Sequence, residues 1–161
     1  MAAKQKITPF LWFDDNAEEA VNFYLSVFKV GKIIDVSRYS EAGRGKPGSV
    51  MVMEFEIEGQ RFSALNGGPI FKFNEAISLS VSCESQAEVD DLWAKLTADG
   101  GAESQCGWLK DKYGLSWQIV PSALSRVFKG PDKAGVKRAM EAMLQMKKLD
   151  IATLERAYAG K

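Results

Sequence analysis

Apolar and polar residues follow one another along this chain in two successive blocks that share the same order. Each block begins with a short apolar strand, continues with a helix that is apolar on one face, and ends with three strands. The first block has predicted strands at residues 7–13, 32–39, 49–58 and 60–65, and a helix with Ala17, Ala20, Val21, Tyr24, Leu25 and Phe28 on one face. The second has predicted strands at residues 76–81, 102–106, 108–112 and 115–120, and a helix with Val89, Leu92, Trp93 and Leu96 on one face. The repeated order β-α-β-β-β predicts an α+β fold made of paired modules.

Capping residues support both helices. Asp15 and Asn16 precede the first helix, with acidic residues at capping-box spacing after them, and Gly31 ends it. Ser85-Gln-Ala-Glu88 is a capping box for the second helix, which ends at Gly100-Gly101.

The last strand of the hairpin at Gly107–Pro121 places Gln118 among apolar and aromatic neighbours, and a polar group there needs a partner or a function. The two-residue period of a strand puts Gln118 on one face with Ser116 and Val120. In the strand at 76–81, Ser78 and Ser80 share the small, polar face, while Ile77, Leu79 and Val81 should meet the helix. By the same alternation, Trp12 and Trp117 should face the helices. The polar faces are therefore expected to line a cavity.

The chain changes character after Pro121. Residues 122–161 have no strand pattern and read as two or three helices, of which Asp132 and Asp150 could each cap one. Their apolar stripes need a partner surface, which could be the sheet of the same chain or a second subunit. Such a tail, on a domain of two modules, predicts a homodimer.

Composition is that of a soluble globular protein. The chain has 161 residues, of which 46% are hydrophobic, and 21 basic residues balance 21 acidic ones. This balance gives no reason to expect binding to nucleic acid or to an anionic membrane. No signal peptide or membrane span is visible, and the 2 cysteines, Cys83 and Cys106, match no disulfide framework. A cytoplasmic location is expected.

The sequence contains no histidine. Ser-His and Cys-His nucleophile pairs are therefore impossible, and no imidazole is available as a general base. Catalytic residues stay unknown, whether the protein is an enzyme stays uncertain, and no cofactor is expected.

Several segments resemble a known family. They are Phe10–Tyr24, Leu65-Asn-Gly-Gly-Pro69 followed by Phe71-Lys-Phe73, and the hairpin Gly107–Pro121. They are similar to the PhnB-like family, often labelled 3-demethylubiquinone 3-methyltransferase-like, within the vicinal oxygen chelate superfamily of glyoxalase and bleomycin-resistance proteins. The resemblance implies that residues 1–121 form one such domain, with modules at about 6–68 and 74–121 whose sheets curl into half-barrels around a cup. Residues 122–161 would be a helical C-terminal extension.

The same resemblance implies where a metal would bind. Metal-binding relatives carry ligands on the first and fourth strands of each module, and the last ligand is usually a glutamate. That position is Gln118 here, and the others fall near Pro9, near Ala76 or Ser78, and within residues 64–66. Proline and alanine cannot coordinate a metal through their side chains, and serine and amides are poor ligands. No metal site is therefore predicted.

The resulting hypothesis is a metal-independent protein that binds an unidentified small molecule. Its candidate cup-lining residues are Gln118, Asn66, Ser78, Ser80, Ser116, Phe13, Phe71, Phe73 and Trp108. Amides can fix a ligand's oxygens, and aromatic side chains can form walls. Two alternatives stay open, which are a methyltransferase acting on a ubiquinone precursor, as the family label implies, and a non-catalytic interaction module.

Overall fold

A computed structural model describes residues 5–161 of the chain. The chain folds into two compact units, of which the first ends at Phe73 and the second is Asn74–Lys161. Each unit contains one four-stranded sheet and the helix that covers it, and the second also contains the C-terminal helices. The predicted α+β class and the repeated β-α-β-β-β order are confirmed. The domain boundary at residue 121 stays a prediction.

The first unit orders its strands β1-β4-β3-β2. The strands are β1 (Phe10–Phe13), β2 (Gly31–Arg38), β3 (Val50–Ile57) and β4 (Gln60–Asn66), and helix α1 (Ala17–Val27) lies between the first two in the chain. β1 runs parallel to β4, because α1 carries the chain back across the sheet, while the other neighbours are antiparallel.

The second unit repeats this arrangement with the order β5-β8-β7-β6. Its elements are β5 (Ser78–Cys83), α2 (Gln86–Thr97), the short 3₁₀ turn η1 (Ala98–Gly100), β6 (Ala102–Glu103), β7 (Trp108–Lys110) and β8 (Ser116–Pro121). β5 and β8 are parallel and in register, with Ser78 opposite Ser116 and Ser80 opposite Gln118. The predicted strand at 76–81 begins later than expected, which leaves Ile77 exposed before β5 instead of facing the helix.

Each sheet has one face covered by its helix. In the first unit Tyr24 of α1 stacks on Phe55, which stacks in turn on Phe62. In the second unit Trp117 and Ile119 of β8 are buried together with the apolar stripe of α2. The predicted core position of Trp117 is confirmed, because only 2% of this residue is exposed.

Strand β1 turns its side chains the opposite way from the expectation. Leu11 and Phe13 are buried on the face covered by α1, because Leu11 lies opposite Ala64, two residues from buried Phe62. Trp12 is half-buried on the other face and donates a hydrogen bond from Nε1 to the carbonyl of Gly68 at 2.8 Å. The core position expected for Trp12 is therefore wrong, and Phe13 takes that place.

The helix caps differ between the modules. Ser85 Oγ accepts a hydrogen bond from Glu88 N at 3.2 Å, as the capping box predicts. Asn16 occupies the N-cap of α1, but its side chain makes no capping hydrogen bond. Asn66 at the end of β4 caps the helix instead, since its Oδ1 accepts from Ala17 N at 2.8 Å.

The tail forms α3 (Ala123–Phe128), α4 (Lys133–Met143) and α5 (Ile151–Ala159), with Asp132 and Asp150 at the predicted N-caps of the last two. The segment between α4 and α5 bonds to the base of the β7–β8 hairpin, where the backbone N–H groups of Cys106 and Gly107 donate to the carbonyls of Met146 and Lys147. The tail is thus joined by hydrogen bonds to the sheet of its own unit.

No helix in the described residues combines the length and the apolar character needed to cross a bilayer.

Candidate functional site

The face of the second sheet that turns away from α2 carries a row of small polar side chains. Strand register places Ser78, Ser80, Ser116, Gln118, Trp108 and Lys110 on this face, which we call the polar face. Trp108 lies directly opposite Gln118, and Lys110 lies opposite Ser116. The alternation predicted for β5 and β8 therefore holds, and the pairing adds Lys110, which sequence reasoning missed.

Gln118 lies near the middle of the polar face and is half-buried. Its Nε2 donates to Ser78 Oγ across the parallel strand pair at 2.9 Å. This bond uses one end of the amide, and in the described part of the chain the Oε1 end receives no hydrogen bond from the protein. An amide both donates and accepts hydrogen bonds. Ser78 therefore fixes the orientation of the Gln118 amide, and the free Oε1 of that amide can accept a hydrogen bond from a ligand.

Ser116 is the most unusual polar group on this face. It is only 1% exposed, and within residues 5–161 its Oγ has no hydrogen-bond partner. A buried hydroxyl left unpaired costs about 1–3 kcal/mol, so such groups are uncommon in folded proteins. The hydroxyl thus has unused hydrogen-bonding capacity two residues from Gln118.

Lys110 contributes a charge at the edge of the polar face. Its ammonium forms an ion pair with Glu75. The hydrogen bond from Lys110 holds the pKa of Glu75 below its usual value. The lysine charge is therefore already compensated within its own unit.

Asp111 supports the hairpin that presents Gln118. Only 2% of Asp111 is exposed. Oδ1 accepts hydrogen bonds from the backbone of Tyr113 and Leu115, and Oδ2 accepts one from Trp117 Nε1 at 2.9 Å. Asp111 therefore connects the turn to the strand that follows.

Two candidate cup-lining residues lie on the opposite, helix-covered side of the first sheet. Both ends of the Asn66 amide bond to backbone, because Oδ1 caps α1 and Nδ2 donates to Val50 O at 3.1 Å. Phe13 is buried beside it in register, with its ring edge-on to Phe73 at 5.3 Å between centroids. The structure therefore brings neither Asn66 nor Phe13 to the open face of its sheet, and gives both a packing or capping role.

The remaining aromatic candidates lie in different places. Phe71 is 62% exposed and packs edge-on against Trp12, with 4.9 Å between ring centroids. Phe73 is half-buried against Phe13, and Trp108 is half-buried on the polar face. Of the three, Trp108 lies on the same face as Gln118.

The sequence has no histidine that could activate either cysteine as a nucleophile. Cys83 is fully buried at the end of β5, and burial raises the pKa of its thiol to about 11. A thiol with so high a pKa stays protonated and unreactive at neutral pH. Cys106 lies in the hairpin base, with Sγ 3.6 Å from the carbonyl of Met143.

The two modules pair their first and last strands in equivalent ways, which shows which residues correspond to the position of Gln118. β1 and β5 end opposite the last residues of β4 and β8, with Phe13 opposite Asn66 and Cys83 opposite Pro121. Gln118 lies three residues before the end of β8, and Ser63 lies three residues before the end of β4. Ser80 and Phe10 lie three residues before the ends of β5 and β1. Phe10 lies next to Pro9, Ser80 lies two residues after Ser78, and Ser63 lies directly before residues 64–66, so these positions are close to those that the sequence resemblance implies.

These four positions do not fit a divalent metal. Phenylalanine has no donor atom, and two hydroxyls with one amide lack the carboxylate, imidazole or thiolate ligands that such ions prefer. Among the residues that the structure describes, no group of three or more His, Cys, Asp or Glu side chains could hold a metal ion. We therefore derive no step through a metal.

The sequence model of the 3-demethylubiquinone-9 3-methyltransferase family matches residues 5–120. The chain belongs to this family. The PhnB protein from Bacillus cereus is 42% identical, with 73% of this chain and 100% of that chain covered and a TM-score of 0.67. Both comparisons agree with the PhnB-like family that the sequence resemblance implies.

More distant structures share the fold of this family member. Protein PA1353 from Pseudomonas aeruginosa is 19% identical, with 73% of this chain and 98% of that chain covered and a TM-score of 0.60. The fosfomycin resistance protein FosX from Listeria monocytogenes, described in complex with Mn(II) and sulfate, is 14% identical, with 80% and 98% covered and a TM-score of 0.55. No curated protein matches the chain significantly.

Proposed function

We propose that this protein binds a small organic molecule on the polar face of its second sheet through hydrogen bonds rather than through a metal. The unpaired, buried hydroxyl of Ser116 beside the half-used amide of Gln118 carries this proposal. Ligand sites combine a few well-placed polar groups with apolar and aromatic walls, and Trp108 supplies such a wall opposite Gln118.

Replacing Ser116 with alanine separates a binding role from a folding role. Without ligand, Ser116→Ala should leave the free energy of unfolding unchanged or raise it by up to about 1 kcal/mol, because the variant removes a buried polar atom that makes no hydrogen bond. Gln118→Leu should likewise fold. Both variants should lose most of the thermal stabilisation that phenolic and carboxylic metabolites give the wild-type protein in the presence of EDTA.

Ser26→Ala is the matched control, because Ser26 is exposed on α1 of the first unit and is not part of the polar face. It should keep the wild-type response to every metabolite in the panel. The proposal is wrong if stabilisation appears only after Mn²⁺, Zn²⁺ or Fe²⁺ is added, or if the polar-face variants respond like wild type. Elemental analysis of the purified protein provides the independent check on bound metal.

Methyl transfer is the second candidate function, and the family description favours it. The sheets do not offer the usual nucleotide site, since each has one parallel strand pair and the turns after β1 and β5 contain no glycine. Calorimetric titration with S-adenosylmethionine should therefore give no binding heat. Saturable binding with 1:1 stoichiometry would make methyl transfer the leading function.

The proposal includes pairing of two chains in the cytoplasm, without nucleic acid or membrane partners. Met140 on α4 and Leu144 at its C-cap are exposed, which supports the homodimer. The alternative of a non-catalytic interaction module predicts that the polar-face variants change no small-molecule response.

A further inference from the structure

A groove lies where β5 and β8 meet the first helix of the tail. It has a volume of about 340 Å³, and its lining is Ser82, Val120, Pro121, Ser122, Leu124, Ser125, Phe128 and Lys129. This volume is at the lower end of the range of about 300–1,000 Å³ that is usual for ligand sites. All of these residues belong to the second unit.

The groove continues the polar face. Ser82 and Val120 are opposite each other in the parallel pair, one step along the same face from Ser80 and Gln118. Helix α3 begins almost directly after β8, so Leu124 and Phe128 line the groove beside the end of the sheet. A ligand that reaches Gln118 can therefore extend an apolar part into the groove.

Charge differs between the two ends of the groove. At the Ser122 end, the serine hydroxyl already bonds to the carboxylate of Glu84, with 3.1 Å between Ser122 Oγ and Glu84 Oε2. At the other end, Lys129 makes no ion pair with any residue that the structure describes. Arg126, the other cation of α3, pairs with Glu155 at 3.6 Å. An anionic group is therefore favoured at the Lys129 end and disfavoured near Ser122.

We propose that the ligand of the polar face is an amphipathic carboxylate, with its hydrogen-bonding end at Gln118, its apolar body between Leu124 and Phe128, and its carboxylate near Lys129. This inference rests on the proposed function, because it names the ligand class for that site. In this proposal, residues of α3 and its C-cap, rather than residues of the two sheets, select for the apolar body and the carboxylate of the ligand.

Two matched probes test the ligand class on the full-length protein. 3-(4-Hydroxyphenyl)propanoate has a hydroxyl, a ring and a carboxylate in the proposed order. In 3-(4-hydroxyphenyl)propanamide a neutral carboxamide replaces the charged carboxylate, and the rest of the molecule is the same. In NMR titrations the acid should shift the backbone amide signals of Gln118 and of residues 122–129, and it should bind more tightly than the amide.

Lys129→Gln should weaken binding of the acid by about fivefold, the upper value for one exposed charge pair, and leave binding of the amide unchanged. Leu124→Gln should weaken both probes, because it places a polar side chain in the apolar wall. Lys133→Gln is the control, since this exposed lysine at the start of α4 lies outside the groove.

The outcomes separate this inference from the proposed function. Equal binding of acid and amide to wild type, or an equal effect of Lys129→Gln on both, overturns the charge assignment. Acid-induced shifts confined to residues 78–80 and 116–118 overturn the groove and leave the polar face as the site. If neither probe binds, the ligand class is wrong, and the Ser116→Ala comparison still decides the proposed function.

Discussion

Replacing Asp111 with alanine is expected to lower the free energy of unfolding by about 3 kcal/mol, because it removes the acceptor of several buried or half-buried hydrogen bonds. The donors are the backbone N–H groups of Tyr113 and Leu115 and the indole N–H of Trp117, at 2.9–3.1 Å from the carboxylate. Trp117 is among the largest fully buried side chains, so its N–H cannot turn to water. Urea unfolding followed by tryptophan fluorescence measures the change.

Asp111→Asn serves as the isosteric comparison. Its remaining oxygen can still accept from Tyr113 and Leu115, but its new N–H₂ group opposes the N–H of Trp117, so an intermediate loss of about 1–2 kcal/mol is expected. Asp15→Ala, at an exposed site, should change stability by no more than about 0.5 kcal/mol. Equal stability of Asp111→Ala and wild type would show that the hairpin does not depend on this carboxylate.

Gly107→Ala should lower the free energy of unfolding by about 2–4 kcal/mol, from backbone strain and overpacking together. Gly107 has φ +86°, and an added Cβ would lie 2.9 Å from Leu149 Cδ1 and 3.0 Å from the carbonyl oxygen of Ile119. The same residue accepts a hydrogen bond from Ile119 N and donates one to Lys147 O. The backbone can therefore move little to relieve the contact.

Gly59→Ala is the matched control for strain alone. Gly59 has φ +80°, but nothing lies within 4 Å of an added Cβ. This variant should lose about 1 kcal/mol, the cost of the left-handed conformation for a residue with a side chain. If chemical denaturation gives equal losses for both variants, contact with Leu149 and Ile119 contributes nothing and the packing argument is wrong.

The sequence was sufficient for the order of elements, because strand and helix periods and caps are local signals. The Ser85 N-cap, the buried Trp93 stripe and the caps at Asp132 and Asp150 are formed as expected. The carboxylate of Glu88 accepts from the N–H of Glu84 instead of that of Ser85, so the capping box is formed only in part. The alternation of polar and apolar side chains in β8 was also predictable, since polar Ser116 and Gln118 interrupt an apolar run.

Strand β1 shows where such reading fails. All four residues of Phe10–Phe13 are apolar, so a two-residue period cannot tell which face is covered. Register with β4 decides it, because Leu11 pairs with the helix-side Ala64. The capping role of Asn66 depends on a contact with Ala17, 49 positions earlier in the chain, which no local pattern contains.

The candidate site was predictable in part. Gln118, Ser78 and Ser116 could be assigned to one face from alternation, but the hydrogen bond between Gln118 and Ser78 depends on the parallel register of β5 and β8. Whether the hydroxyl of Ser116 finds a hydrogen-bond partner depends on residues that are distant in the sequence. The groove depends on the packing of α3 beside the ends of β5 and β8.

The hydrogen bonds that join Cys106 and Gly107 to the segment after α4 limit how the protein can be shortened. A fragment that stops at Pro121 contains every strand, yet it lacks the carbonyl groups of Met146 and Lys147 that these two N–H groups need. It also lacks Leu149, which packs against Gly107 and whose carbonyl accepts from Gln86 of α2. A minimal unit for isotope labelling or crystallisation should therefore retain the chain at least through residue 151, while a purification tag is better placed at exposed Lys161.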